Sequence, residues 1–559
     1  MRFPNPARPD LSGKKRDPRR RIPPFRARGG ANIQIIGSGA TLCGPRKRRG
    51  ANGKLYNYKL DSFYQYDSVG ATQSIIINTM KLFSETRNSL FACIALAASC
   101  GGLYAADPME DISSRPYGGN SGDIASGTRT GGGVYSANIG DDVYIFTDLD
   151  ANSTPANGHG IYGNATSATT GGDSVKIDVA GPDGDGIRSN PGGMTNAGGS
   201  NCTFKFGNDL TVWVRGESSD CVNLNGYSTL EVGNDAKFYA YGTYKQKGEG
   251  SHGLRANYAS KITTGKNTYI ETTGASSHGV YTPAALFIPN AYTASVTLGD
   301  GAKIATRNEG SCGVYAGSRD SSVTFLGAAD ISTEGAGAHG VYTSGSNSLV
   351  SLGSSAKIDT AGENSYALYA YNGKIAGDGK FMLGTRTGAA GILARSGAID
   401  LSMNGASVFN GYTDISLGGS VRLGMSEGSA WTLSQSSRLS SIETASMSKI
   451  VFTIDDIDDY TFITADSALL DNSVMKIVLG AYNPVLNDEF ILLAASQIGG
   501  SGVTFDLGQA ALDSGLRWDT SSFLEDGAIR VAAVPEPAAL GAILAALAAA
   551  LGIARKKRR

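Results

Sequence analysis

Residues 302–315 read Ala-Lys-Ile-Ala-Thr-Arg-Asn-Glu-Gly-Ser-Cys-Gly-Val-Tyr, residues 329–342 read Ala-Asp-Ile-Ser-Thr-Glu-Gly-Ala-Gly-Ala-His-Gly-Val-Tyr, and residues 356–369 read Ala-Lys-Ile-Asp-Thr-Ala-Gly-Glu-Asn-Ser-Tyr-Ala-Leu-Tyr. Successive windows begin 27 residues apart. Leu298, Phe325 and Leu352 keep that spacing, as do Ile304, Ile331 and Ile358, and Val314, Val341 and Leu368. Each Ile opens an Ile-x-Thr element, which occurs once more at Ile270-Glu271-Thr272. Ten residues after each Ile stands Val280, Val314, Val341 or Leu368, followed by Tyr281, Tyr315, Tyr342 or Tyr369. Looser copies precede them at Val134-Tyr135, Ile161-Tyr162, Ile187-Arg188 and Leu254-Arg255, and the stretch 283–295 reads as an inserted loop.

A fixed period of this size marks a stack of repeated units. Each unit holds three short apolar runs, for example 323–325, 330–333 and 340–343, separated by the turn residues Gly, Asn, Ser and Asp. Such short runs bury nothing alone. Stacked at ~4.8 Å, their aliphatic side chains form continuous inward rows. The spacing therefore predicts an all-β parallel β-helix, a solenoid, with Ile, Val and Leu inward and Thr, Ser and Lys outward. An antiparallel sandwich is the rival, but it has no need of a strict register. The regular solenoid is expected over 107–400, with a polar cap over its first residues to about 130. An irregular continuation and cap follow over 401–531.

Composition agrees. Of 559 residues 76 are Gly and 41% are hydrophobic, which is too apolar for simple disorder. The net charge of −1 hides segregation. Residues 1–79 hold 16 Lys/Arg against 4 Asp/Glu, and the last five residues are all basic, leaving 28 basic against 46 acidic residues between. An acidic body argues against nucleic acid as a partner. Of six cysteines, Cys43, Cys93 and Cys100 fall in segments expected to be lost. Cys202, Cys221 and Cys312 remain, either with a Cys202–Cys221 bridge or as three small buried hydrophobes.

Residues 1–79 are Arg/Pro-rich around 14–28 and basic again at 46–49, without helical or strand period. Met80 then opens a charged start, an apolar stretch Leu90 to Ala98 and a small-residue end at Ala105-Ala106. That order is a secretory signal over 80–106. We expect translation to begin at Met80, with 1–79 a disordered upstream extension and cleavage after Ala105 or Ala106. A basic arm or an unusually long leader are the other readings of 1–79. Ala97-Ala98-Ser99-Cys100 also outlines a lipoprotein box, with Ala where Leu is usual.

At the other end, Val534-Pro535-Glu536-Pro537 precedes 17 uncharged, mainly apolar residues, 538–554, and then Arg555-Lys556-Lys557-Arg558-Arg559. At ~1.5 Å per residue a helix over 538–554 would span about 25 Å, the short end of what crosses a bilayer. The basic tail would stay cytoplasmic. Pro535 and Pro537 keep the junction extended.

In order and position this end, 532–559, resembles a PEP-CTERM sorting signal, and Gly515 to Val531 resembles the segment that precedes it in such proteins. The resemblance implies recognition and cutting by exosortase, a membrane cysteine peptidase, in a Gram-negative bacterium that makes exopolysaccharide. The pattern Ile-x-Thr-x-Gly…His-Gly-Val-Tyr, over roughly 130–400, resembles passengers of autotransporter-like surface proteins. That resemblance implies a right-handed β-helix displayed outside the cell, often as an adhesin. The chain departs from that family in having no run of ten-residue alternating strands for an outer-membrane barrel.

Chemistry-bearing residues are sparse. His159, His252, His278 and His339 all precede Gly and an aliphatic residue, in a slot that Asp185, Cys312 and Tyr366 fill elsewhere. Repetition with substitution speaks for a structural role. His252 and His278 could lie one rung apart and share a metal. Gly158-His159-Gly160 with Asp141-Asp142 matches part of a polygalacturonase pattern, but its other elements are missing. Asp455-Asp456 and Asp458-Asp459 are a solvated turn or a calcium site. The tyrosines 281, 315, 342, 369 and 371 could stack sugars or pack on one another. No catalytic residue, metal ligand or cofactor site is assigned. The expected protein is exported and non-enzymatic, structural or adhesin-like, in contact with exopolysaccharide or host glycans. Its machinery partners are the secretion system and exosortase. A β-helical polysaccharide lyase or hydrolase is the alternative.

Overall fold

The computed structural model describes residues 122–535, apart from 154–155, 157, 165, 191–200, 243–249, 284–292 and 386–390, together with the helical stretch 545–551. The expected signal segment with Ala105 and Ala106, the extension 1–79, and the sorting residues Glu536, Pro537 and Arg555 to Arg559 lie outside the described residues. Among the described residues no helix is long and apolar enough to cross a membrane.

The strands alternate inward and outward residues with period two. Ala328–Thr333 and Lys449–Ile454, for example, alternate half-buried and buried positions from end to end. One coil consists of Ser295–Leu298, Ala302–Thr306 and Val314–Ala316, and the next of Ser322–Phe325, Ala328–Thr333 and Val341–Thr343. Equivalent strands of neighbouring coils pair in parallel, so each coil contributes one strand to each of three faces. This is an all-β parallel solenoid. Hydrogen bonding joins two faces into a 30-stranded sheet and makes the third a 10-stranded sheet. The first two are continuous because Lys374–Thr385 runs on from one to the other.

The expected rows are real columns. Ile270 pairs with Ile304, Ile304 with Ile331, and Ile331 with Ile358, all almost fully buried. The column extends in both directions, from Ile145, Ile177, Val212 and Phe238 to Leu383, Phe409, Trp431, Ile450 and Met475. On the third face Val280, Val314, Val341 and Leu368 form a second column, flanked by Leu254 before and Ile392 after. Burying each aliphatic side chain contributes about 1.5–3 kcal/mol.

Two expectations are corrected. The Thr of Ile-x-Thr faces inward, because it is two residues from an inward Ile. Thr272, Thr306 and Thr333 are buried, and their hydroxyls donate to the carbonyls of Ser277, Ser311 and Ala338 in the next corner. The polar cap expected up to 130 already contains paired strands, Gly122–Ile124 and Arg129–Gly131.

Corners explain the glycine content. A Cβ on Gly313 would sit 2.4 Å from Ile331 Cγ2 and 2.7 Å from the Gly340 carbonyl oxygen, and Gly340 meets Ile358 in the same way. Another corner takes a left-handed residue in successive coils, supplied by Asp209, Asp235, Asn267 and Gly301 at φ 56° to 77°, until the strand Ala328–Thr333 runs through that position in the next coil. Corner N–H groups find side-chain acceptors on the neighbouring coil. Asn234 N–H donates to Asn208 Oδ1 and Lys266 N–H to Asn234 Oδ1, both at 2.9 Å. Ser219, Ser251 and Ser277 N–H donate in turn to Ser251, Ser277 and Ser311 Oγ.

Past residue 400 the first face pairs on as far as Ile498–Ser501 and the second as far as Thr504–Gln509, where the register shifts between Lys476 and Val478. The third ends at Thr413–Ser416, and coils then shorten: Phe409 to Trp431 spans 22 residues. An antiparallel sheet of Glu489–Ile491, Leu516–Asp519 and Ala528–Ala533 follows, with a short helix, Phe523–Asp526. Phe523 packs on Phe505 of the last coil at 5.1 Å, which seats the helix against the end of the stack.

Close packing at the corner makes small changes costly. Gly313→Ala should lower stability by about 1–3 kcal/mol and Ile331→Ala by about 2–5 kcal/mol. Thr324→Ala, on an outward position, should stay within about 0.5 kcal/mol. Urea midpoints of the three variants check this, and an equal shift for Gly313→Ala and Thr324→Ala would contradict the corner geometry.

Candidate functional site

The third face and the corner leading into it gather most of the chemistry-bearing side chains. The slot two residues before each third-face column residue holds His159, Asp185, Asp220, His252, His278, Cys312, His339 and Tyr366 in successive coils. Each acceptor in this slot takes the backbone N–H of the next coil. Asp185 N–H donates to His159 Nδ1, Asp220 N–H to Asp185 Oδ1 and His252 N–H to Asp220 Oδ1, all at 2.8 Å. His278 N–H donates to His252 Nδ1, Cys312 N–H to His278 Nδ1 and Tyr366 N–H to His339 Nδ1. The slot tolerates His or Asp because both present an acceptor at the same distance from the backbone.

An accepting Nδ1 carries no proton, so these imidazoles are neutral. Burial holds His159 and His339 down to about 4 and His278 down to about 3, and pushes His252 well below its ordinary value. His252 and His278 do lie one rung apart, stacked at 5.1 Å. Parallel stacking keeps their nitrogens from converging on one ion. No group of three or more potential ligands that could hold a metal occurs among the described residues.

The outward middle residues of the third face run Tyr162, Arg188, Asn223, Arg255, Tyr281, Tyr315, Tyr342, Tyr369, Leu393 and Asp414. The early part is ionic. Asp185 pairs with Arg188 at 2.8 Å and Asp220 with Arg255 at 3.5 Å. Both carboxylates are buried and hold a backbone N–H of the next coil, so neither is presented to a substrate. The later part is aromatic. Arg255 lies 5.6 Å over Tyr281, and Tyr281, Tyr315, Tyr342 and Tyr369 follow at centroid spacings of 5.3, 4.7 and 4.8 Å. Their planes tilt by 21–34°. At these spacings each ring covers its neighbour's face, so the row is a packing ladder that offers edges and hydroxyls outward. Tyr371 stands apart, under Arg395 at 5.5 Å.

The ladder stops at Tyr369, where Leu393 takes the next place in register. A cleft of about 430 Å³ opens there, lined by Tyr366, Tyr369, Leu393, Arg395, Tyr412 and Asp414, with Ser416 and Leu417. The sequence offers no signal for it, because Leu393 and Asp414 carry the repeat only through their register.

The remaining candidates separate. Asp141 sits in the corner between the first two faces, its Oδ1 accepting Asp173 N–H, while His159 is in the corner before the third. The two do not form one site. Asp455 to Asp459 make a tight turn in which Asp455 and Asp456 N–H donate to the Asp459 carbonyl. Cys202, Cys221 and Cys312 are buried thiols outside any disulfide. The Cys202–Cys221 bridge does not form, because Cys202 precedes a first-face strand and Cys221 a third-face strand. Burial pushes Cys312 up to about 12 and Cys221 well above the ordinary thiol range. Two further clusters lay outside the sequence reading. Asp178 is held by Tyr144 and Arg215, and Glu271 by Tyr269 and Arg307, on either side of the stacked pair Trp213 and Tyr239.

No family model matches the chain, and no curated protein matches it.

The histidine column links stability to pH. Its pKa values are lower folded than unfolded, so the unfolded chain binds more protons between about 6.5 and 4. The contribution is complete above pH 6.5 and is lost as pH falls from there through the folded values. Between pH 7.5 and 5 each such histidine should cost about 2 kcal/mol. In His278→Asn, which keeps an acceptor, denaturant titrations should show a loss smaller by that amount. Identical pH profiles for the two proteins would refute the neutral column.

Proposed function

We propose that this chain is an exported bacterial surface protein whose solenoid acts as a structural or adhesive body, sorted through its C-terminal Pro-Glu-Pro signal. The observation that carries this reading is the order Val534-Pro535-Glu536-Pro537, 17 uncharged residues and five basic residues at the C-terminus. It is supported by where the fold stops. The last cap strand ends at Ala533, and Val534 and Pro535 are exposed, so a peptidase reaches the junction without unfolding the body. Residues 545–551, inside the apolar stretch, are helical. In this reading 538–554 crosses the inner membrane as one helix, with Arg555 to Arg559 cytoplasmic. Exosortase then cuts, and the body goes to the cell surface or the extracellular matrix of a Gram-negative bacterium. The coils wind right-handed, as parallel strand-crossover-strand units almost always do.

The body's part is to present a long, acidic, regularly spaced surface to exopolysaccharide or host glycans. The buried carboxylates beside the third face, Asp185 and Asp220, are committed to backbone N–H groups. This weighs against the alternative, a polysaccharide lyase or hydrolase, which needs carboxylates free to converge on one bond.

Peptide mapping of the protein recovered from the producing cells tests the reading. Peptides should begin near Asp107 and stop near Pro537, and Glu536→Gln should leave the 538–559 tail attached and the protein in the membrane fraction. An intact tail on every molecule of the unaltered protein would defeat the sorting proposal, and peptides from 1–79 would defeat the start at Met80.

A further inference from the structure

We propose that the cleft closing the tyrosine row is a binding site for a neutral oligosaccharide. The proposal rests on the glycan-contacting role given to the body, and it assigns that role to one place. Along the row each tyrosine face is covered by the next ring, so the row itself has little flat aromatic surface to offer. The stack ends at Tyr369, because the next coil has Leu393 in register and the one after has Asp414. A shorter aliphatic side chain follows the last ring, and the space left over is the cleft of about 430 Å³. That size is in the range of small-ligand sites, which run roughly 300–1,000 Å³.

The lining has the parts that hold a sugar. Tyr366, Tyr369 and Tyr412 supply aromatic surface for the C–H face of a pyranose ring. Arg395 is exposed, lies over the Tyr371 ring and makes no ion pair among the described residues, so its N–H groups remain as donors. Asp414 is half-buried. Its Oδ1 accepts Ile415 N–H at 2.8 Å, which leaves Oδ2 as an acceptor. Ser416, in register with Arg395, adds a hydroxyl. One cation and one anion together match neighbouring hydroxyls, each both donor and acceptor. A uronate gains its pairing with Arg395 only against the repulsion of Asp414 and of the acidic body around the cleft. The cleft is therefore selective for neutral sugars within an acidic body.

Titration calorimetry on the full-length chain tests this with cellohexaose, xylohexaose and mannohexaose as neutral probes and a galacturonate hexamer as the anionic one. At least one neutral probe should bind, and more tightly than the galacturonate. Arg395→Ala, at an exposed position, and Tyr412→Ala should each weaken that binding by about tenfold or more. Tyr135→Ala, an exposed ring at the other end of the same row, should leave it unchanged. Circular dichroism of each variant keeps loss of fold apart from loss of binding. Absence of binding by all three neutral probes, unchanged affinity in Arg395→Ala, or preference for galacturonate would each overturn the assignment. Export and tail removal are measured separately, so a chain that is sorted but binds no neutral glycan refutes the cleft and leaves the sorting proposal standing.

Discussion

In-register stacking of parallel coils imposes a condition that every other feature obeys: whatever one coil places at a given position, the next must accept directly above it. The inward columns meet the condition with aliphatic side chains, Ile270 over Ile304 over Ile331 over Ile358. The corners meet it differently. A corner turns its N–H groups along the stack, where a strand ladder no longer reaches them, and an unpaired buried N–H is costly. The chain answers with columns of side-chain acceptors, Asn at one corner and Ser and His or Asp at another. Glycine enters where corner backbone and the Ile column come too close for a Cβ.

The same condition limits what the surface can do. Histidines that accept a backbone N–H are not free to bind a metal or shuttle protons, and tyrosines that cover one another are not free to lie flat against a sugar. Chemistry becomes available where a column is broken. The clearest break is at Leu393, where the aromatic row ends and a cleft bordered by an exposed guanidinium and a half-buried carboxylate begins. A repeat scaffold thus makes a site by interrupting its own pattern.

Much of the fold was legible in the chain. A 27-residue period shared by three apolar positions leaves few architectures open, since only stacking rewards the same side chain at the same interval. The slot shared by His159, Asp185, Cys312 and Tyr366 was legible as structural, because a unique catalytic role does not repeat with substitutions. The Thr of Ile-x-Thr was misassigned by residue type, although its two-residue offset from Ile already implied an inward direction. Of the two readings of Cys202 and Cys221, buried thiols hold and a bridge does not, a choice that sequence separation could not make because it says nothing about which face each residue precedes.

By itself, then, the sequence determined the repeat, the parallel stack, the identity of the inward columns and a C-terminal order of motif, apolar stretch and basic tail. These are periodic or contiguous properties, readable along one dimension. Tertiary structure alone decided that the acceptors of the corners take the neighbouring coil's N–H groups, that the second face persists to residue 509 while the third stops at Ser416, and that Tyr366, Arg395 and Asp414 meet around one cleft. Those facts depend on which residues lie one coil apart. Loop lengths change that distance from coil to coil, so it is defined only once the chain has wound.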